Sequence, residues 1–185
     1  MIKTDRIKNR LESNYNLKIN RYDYFLKTNK ELKDLVNEMI NKFGYEVDLN
    51  NICVSFVNNF SEVFYNKRLF NGDVSEWDVS GGLDFYSLFF VCNAFNSDLS
   101  NWDISIGSDF SYMFCGCKSF NTDLSKWDVS NGKYFMNMFY GCRNFNDDLS
   151  EWKVLNAEKW KSFADFSLLE DYPERIPEKF RSDYL

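Results

Sequence analysis

The sequence predicts an α/β repeat fold, a right-handed solenoid of about five 25-residue units with a helical N-terminal cap and a helical or irregular C-terminal cap. Three observations predict it. Aromatic residues recur in phase: Phe70, Phe95, Phe120 and Phe145 stand 25 residues apart, and Trp77, Trp102, Trp127 and Trp152 keep the same interval. Further columns share that interval, with Phe85, Phe110 and Phe135, then Phe89, Phe114 and Phe139, then Cys92, Cys117 and Cys142. The flanking units keep the frame and lose the consensus, as end units of a stack do when one side faces water.

Three central units align without a shift: FNGDVSEWDVSGGLDFYSLFFVCNA, FNSDLSNWDISIGSDFSYMFCGCKS and FNTDLSKWDVSNGKYFMNMFYGCRN. Before them, residues 45–69 retain Asp48, Leu49, Ser55, Phe60 and Phe64 in register, with Ile52 in the Trp place. After them, residues 145–169 keep FNDDLSEW and then drift, Trp160 and Phe163 falling on an aromatic and a methionine register.

Inside each unit the spacing Leu-x-x-Trp-x-Val, as in Leu124, Trp127 and Val129, is the L-x-x-L-x-L spacing of a leucine-rich repeat with Trp for one Leu. Residues two apart on an extended segment share a face, so Trp127 and Val129 point inward while Lys126, Asp128 and Ser130 point outward. Stacked units would pair these segments as a parallel sheet about 5 Å apart. Gly81, Gly82, Gly107 and Gly132 come next and suit a turn. The 3–4 spacing of Phe110, Met113 and Phe114 then predicts a short helical turn behind the sheet. The excess of phenylalanine, 19 residues, is thereby structural. Each ring in a buried column contributes about 1.5–3 kcal/mol.

At FNTDLSKWDVSNGKYFMNMFYGC the chain resembles the BspA-like leucine-rich-repeat family, which includes the mycoplasma-type lipoprotein domain of unknown function. That family repeats FNQDLSxWDVSxVTxMxxMFxGC. The resemblance covers about residues 45–164 and rests on the F-N-x-D-[LV]-S-x-W-D-[VI]-S core. The family's V-T-x-M stretch is replaced by G-G-L-D-F, I-G-S-D-F and N-G-K-Y-F. The lead-in ELKDLVNEMINKFGYEVDLNNI is also similar to the leader of such arrays. The resemblance implies a surface or adhesin-like interaction module without catalytic activity.

The organisation expected is a helical N-terminal cap over 1–44, the five-unit array over 45–169 and a C-terminal cap or tail over 170–185. Thr28 and Glu31 form a capping box. Leu32, Val36, Met39, Ile40 and Phe43 then share a helical face, and Gly44 supplies a stop. Residues 4–27 fit either a second cap helix or a partner-binding arm. Trp160, Phe163 and Ala164 suggest a helix over the last unit, and Pro173 and Pro177 break the chain beyond it into an irregular tail.

Composition excludes much chemistry. The chain has no histidine, so it holds no Ser-His-Asp or Cys-His pair and no histidine-bearing zinc site. Its five cysteines form no C-x-x-C pair, and an odd number fits a reducing compartment. Buried thiols are expected in the Cys92–Cys117–Cys142 column, although a Cys117–Cys142 bridge between units is geometrically conceivable. Cys115 lies off the column and is expected to be exposed. Net charge is −6 overall, with +4 over residues 1–44, −8 over 45–169 and −2 over 170–185. An acidic array argues against nucleic acid, whose phosphates need a basic surface, and suits a basic partner. The N-terminal MIKTDRIKNRLESNYNLKIN lacks an apolar signal core, and no run of 18 apolar residues exists. A cytoplasmic location is expected, with the cell surface as the alternative.

The candidate site is the outward face of the Trp-x-Val segments: Glu76, Asp78, Asn101, Asp103, Lys126, Asp128, Glu151 and Lys153. Asp78, Asp103 and Asp128 form its central column. Carboxylates about 5 Å apart repel by roughly 1–3 kcal/mol, which is expected to raise their pKa values. Repetition alone also produces such a column. A second column, Asp48, Asp73, Asp98, Asp123 and Asp148 beside Asn71, Asn96, Asn121 and Asn146, offers too few carboxylates per unit for calcium and suits turn hydrogen bonds. No catalytic residue, metal or cofactor is expected. The function expected is protein–protein recognition through the acidic face, by a monomer or weak homo-oligomer, with the basic N-terminal segment as a second contact. Two other readings stand beside it. One is a phage or mobile-element inhibitor that occupies the basic nucleic-acid cleft of a host defence nuclease. The other is a fragment of a surface adhesin.

Overall fold

The computed structural model describes residues 22–185. Within it, aspartate two residues ahead of serine sets the path of each unit. Such a carboxylate accepts from the backbone N–H two residues on and bends the chain. Asp73, Asp98, Asp123 and Asp148 accept from Ser75, Ser100, Ser125 and Ser150 at 2.9–3.0 Å. Asp78, Asp103 and Asp128 do the same to Ser80, Ser105 and Ser130 at 2.9–3.2 Å. Between these bends only Trp-Asp-Val or Trp-Asp-Ile remains. The bonds Trp102 N–H to Leu99 C=O and Gly107 N–H to Ile104 C=O close tight turns on either side.

The segments expected as parallel strands are therefore not paired as strands: the two bends leave no room for a ladder. Their alternation survives. Trp102 and Ile104 are buried, whereas Asn101 and Asp103 are exposed. The parallel pairing lies further along each unit, where Asn59, Asp84, Asp109, Tyr134 and Lys159 form successive parallel bridges.

The stretch expected as a helical turn is a run of reverse turns that joins units. Over residues 85–91 alternate amides divide the work. Phe85, Ser87, Phe89 and Val91 donate to the carbonyls of Asp109, Ser111, Met113 and Cys115 in the next unit. Leu88, Phe90 and Cys92 close local turns on Phe85, Ser87 and Phe89. An α-helix would use all these donors within the unit and leave none to join its neighbour. The division requires left-handed backbone at Ser87 and Val91 (φ 52° and 57°), repeated at Tyr112 and Gly116 and at Asn137 and Gly141.

Ring columns fill the interior. Phe60, Phe85, Phe110 and Phe135 stand 5.4–5.6 Å apart between centroids, and Phe64, Phe89, Phe114 and Phe139 stand 5.1–5.7 Å apart. A third column runs through Phe70, Phe95, Phe120 and Phe145. Two polar columns tie units across this core. Trp77, Trp102, Trp127 and Trp152 each donate Nε1–H to a carbonyl of the preceding unit at 3.0 Å. Cys92, Cys117 and Cys142 direct Sγ at the carbonyls of Phe64, Phe89 and Phe114 at 2.9–3.0 Å. All five cysteines are free and buried. That includes Cys115, expected outside: its unit is covered by neighbours on both sides, and it is only 9% exposed. Gly107 serves close approach, since a Cβ there would stand 2.5 Å from Cζ of Phe110 and 3.0 Å from the Ile104 carbonyl oxygen.

At the N-terminal end β1 (Tyr24–Phe25) pairs in parallel with β2 (Ile52–Cys53). Helix α1 (Asn29–Phe43) opens on the capping box, in which the Thr28 side chain accepts from Glu31 N–H at 3.2 Å and the Glu31 carboxylate accepts from Thr28 N–H at 3.1 Å. Leu32, Val36, Met39 and Ile40 are buried; Phe43, expected on that face, is 57% exposed because α1 ends at Gly44 before the array reaches it. At the other end no α-helix forms. Short 3-10 turns at Leu168–Asp171, Pro173–Arg175 and Glu178–Asp183 bury Leu169, Ile176 and Phe180 against the last unit. The basic segment 1–21 lies outside the described residues.

Candidate functional site

Each residue of the proposed outward face is exposed: Glu76, Asp78, Asn101, Asp103, Lys126, Asp128, Glu151 and Lys153. The structure brings them to one edge, because Trp77, Trp102, Trp127 and Trp152 between them are buried and register-locked. The edge is turn-built rather than strand-built. Its rigidity comes from the Asx turns and from bonds between units: Glu76 N–H donates to Asn50 Oδ1 at 2.9 Å, and Asn131 and Asn156 donate to the carbonyls of Ser105 and Ser130 at 2.8 Å. Charge alternates toward the C-terminal end, where Lys153 approaches Glu151 at 3.9 Å on a fully wet surface.

The carboxylates do not behave as a mutually repelling column. Burial pushes Asp78 up, but the hydroxyls of Ser80 and Ser55 and the Ser80 amide outweigh it and hold the group below its ordinary range. The hydroxyl and amide of Ser130 lower Asp128 in the same way. The expected upward shift is thus reversed at both, since hydrogen bonds to the charged form dominate over repulsion screened by water. At Asp103 and Asp128 the bonds to Ser105 and Ser130 fall on Oδ1. The three carboxylates are fixed by serine, and the bonds to Asp78 and Asp128 favour their charged form.

The second acidic column has the structural role its sequence suggested. Asp48, Asp73, Asp98, Asp123 and Asp148 each accept from the amide two residues on. The adjacent asparagines form a ladder: the amides of Asn96, Asn121 and Asn146 donate to Oδ1 of Asn71, Asn96 and Asn121. Among the described residues no group of three or more His, Cys, Asp or Glu side chains could hold a metal ion. Among them, too, no helix is long and apolar enough to cross a membrane.

A family model for a Mycoplasma protein of unknown function matches residues 30–152 and 83–170. The chain belongs to the DUF285 family. The matched residues run from within α1 through the stacked units. No curated protein and no solved structure matches the chain significantly.

Two features of this DUF285 chain escaped sequence reasoning. One is an aromatic ridge on the flank, where Tyr65 stacks on Phe90 at 4.8 Å and Tyr86 meets Tyr112 at 5.7 Å. Its signal was available: residues 86–91, 111–116 and 136–141 contain no charged side chain. The other is at the C-terminal end of the array, where Trp160 N–H and Ser162 N–H have no hydrogen-bond partner among the described residues; no sequence signal exists for it, because it depends on which amides the tail covers.

Proposed function

We propose that this protein is a non-enzymatic recognition module, a leucine-rich-repeat-like right-handed solenoid of the BspA-like kind, that binds a partner protein with a basic surface. The acidic edge carries the interaction: Glu76, Asp78, Asn101, Asp103 and Asp128 supply charge and hydrogen-bond acceptors, and Lys126, Glu151 and Lys153 set its polarity at the far end. One observation supports this above the others. Asp78, Asp103 and Asp128 are pre-oriented by serine, and the bonds to Asp78 and Asp128 favour their charged form, so binding a cationic surface costs little further ordering. Stacked repeats present extended surfaces of this sort.

The test separates charge from turn structure. Asparagine keeps the Oδ1 acceptor and removes the charge, so the triple variant Asp78→Asn/Asp103→Asn/Asp128→Asn should fold with wild-type secondary structure. Tagged wild-type protein should retain a basic protein from lysate of source or host cells at low salt and release it at high salt. The triple variant should fail to retain that same protein. Equal retention by both proteins, with both folded, refutes the assignment of the edge.

A further inference from the structure

Charge in this chain is segregated. Residues 1–21 carry Lys3, Arg6, Lys8, Arg10, Lys18 and Arg21 against Asp5 and Glu12, six cations less two anions, a net of +4. Residues 69–117 carry seven acidic side chains and no lysine or arginine. Of these seven, Asp73, Glu76, Asp78, Asp98 and Asp103 stand on or beside the acidic edge, and all five are exposed. Among the described residues no ion pair reaches Asp73, Asp78, Asp98 or Asp103. The part of the edge in the first units after the cap is therefore uncompensated, and Lys126 beside Asp128 marks where that stretch ends.

The basic segment joins the described residues at the head of that edge. One residue before β1, Asp23 is held by Asn51 twice: Asp23 N–H donates to the Asn51 carbonyl at 2.9 Å, and Asn51 Nδ2 donates to Asp23 Oδ2 at 2.8 Å. Asn51 holds in the first unit the outward place that Glu76 and Asn101 hold in the next two. A chain of 21 residues spans up to about 70 Å. The tryptophans beneath the edge stand only 6.4 Å apart for Trp77 and Trp102 and 6.5 Å apart for Trp127 and Trp152, so the whole edge is within reach. Arg6, Lys8 and Arg10 occupy alternate positions. Alternate residues of an extended chain share a face and lie about 6.6–6.8 Å apart, close to the pitch of the tryptophans that Asp78, Asp103 and Asp128 follow.

We propose that residues 1–21 dock on the acidic edge of their own chain, with Arg6, Lys8 and Arg10 against Asp78, Asp103 and Asp128. Exposed ion pairs are individually weak. The tether offsets that weakness, because it presents the segment to the edge at an effective concentration on the order of 1 mM. The segment of a second copy has no such advantage in dilute solution. The docking itself does not depend on a partner protein. Its consequence does rest on the reading of the edge as a recognition surface: a basic partner binds there by displacing the segment, so the chain carries a competitor for its own site.

A nitroxide on Ser13→Cys in the full 15N-labelled chain tests the docking, because the five native cysteines are buried and take no label. At low salt the amide signals of Asn101, Asp103 and Ser105 should broaden strongly. They should recover at high salt, where exposed charges are screened. They should also recover in Asp78→Asn/Asp103→Asn/Asp128→Asn and in Arg6→Gln/Lys8→Gln/Arg10→Gln. No broadening along the edge, broadening that survives either triple substitution, or broadening passed to an unlabelled-thiol 15N copy in an equal mixture overturns the proposal. A synthetic peptide of residues 1–13 should shift Asp78 and Asp103 saturably, and it should bind the glutamine variant severalfold more tightly than wild type, whose own segment stands in the way. Equal binding to the two overturns it. These contacts together with no lysate protein retained by any variant would support the docking and refute only the reading of a partner.

Discussion

Phe114 sits where the ring columns cross, and its removal measures how much the stack depends on them. The side chain is fully buried. It stacks on Phe89 at 5.7 Å, Phe139 at 5.6 Å and Phe120 at 4.2 Å, and it meets Trp127 at 6.2 Å. Truncating a core phenylalanine to alanine costs about 3–5 kcal/mol. Ring pairs add about 0.5–1.5 kcal/mol each beyond area, although neighbouring pairs are not additive. Rings from three successive units close around the void, so collapse into it would pull two ladder junctions out of register. The loss for Phe114→Ala is therefore placed at the upper limit, about 5 kcal/mol, a large part of the roughly 5–15 kcal/mol that holds a domain folded. Urea unfolding followed by tryptophan fluorescence reads it, because Trp77, Trp102, Trp127 and Trp152 report from four units. Phe166→Ala is the matched control: that ring is 65% exposed and should change stability by no more than about 0.5 kcal/mol. A loss below about 1 kcal/mol for Phe114→Ala would refute the claim that stacked rings hold the units together.

Thiol reactivity checks the interior from another side. Burial pushes Cys92 up to about 12 and Cys115 up to about 11, and Cys117 and Cys142 well above the ordinary thiol, so a disulfide reagent in mildly alkaline buffer should label them only as fast as the protein unfolds. Rapid labelling of Cys115 in native buffer would return it to the surface. Two half-buried carboxyls give a pH signature with a definite sign. Burial raises Asp109 and Asp147, so in each the folded state holds its proton more tightly than the unfolded chain does. They oppose folding at neutral pH, and that opposition is relieved as pH falls through their folded-state values. Asp109→Asn, which keeps the Oδ1 acceptor for Ser111 N–H, should melt higher than wild type at neutral pH, with the gap closing toward acid. Asp128 and Asp148 have the opposite sign: serine bonds depress them, so their contribution is present above about pH 4 and fades as pH falls through the folded value. A lower neutral-pH melting point in Asp109→Asn sinks the reasoning for Asp109.

The repeat period, the inward columns and the exposed edge were all legible in the sequence. Each is a property of residue type at a fixed interval, and Phe, Trp and Cys at 25-residue spacing can only be reconciled with stacking if they face inward together. The location of the parallel pairing was not legible. Trp102-Asp103-Ile104 has strand alternation, but its fate was decided by Asp98 and Asp103, whose side chains compete for the backbone and bend it. The helical reading of Phe110, Met113 and Phe114 failed for a related reason. A spacing of three and four also suits consecutive reverse turns, and only the demand for donors to the next unit distinguishes them. Gly116 and Gly141 carried a clue, since both sit at left-handed φ (77° and 69°), but Ser87, Tyr112 and Asn137 adopt such angles without glycine and gave no warning.

That Asx chemistry also bears on why the edge is acidic. A bend of this kind needs an acceptor oxygen, not a charge. The protein itself demonstrates the neutral alternative at Asn59, whose Oδ1 accepts from Ser61 N–H at 2.9 Å in the place that Asp84 and Asp109 hold in later units. A charged acceptor does make the stronger bond, and the depressed carboxyls of Asp123 and Asp128 display that advantage. The advantage is local, however, while the cost of a charged row grows with every unit added. Asp73, Asp98, Asp123 and Asp148 run beside Asp78, Asp103 and Asp128, giving two parallel acidic rows on an array already at −8. If turn formation were the whole reason for the charge, replacing the outer row with asparagine would weaken the serine bonds and lower stability. A triple variant that is as stable as wild type yet no longer binds would assign the charge to recognition. A triple variant that is markedly less stable would assign it to the turns, and the two functions of one carboxylate would be separated by a single pair of measurements.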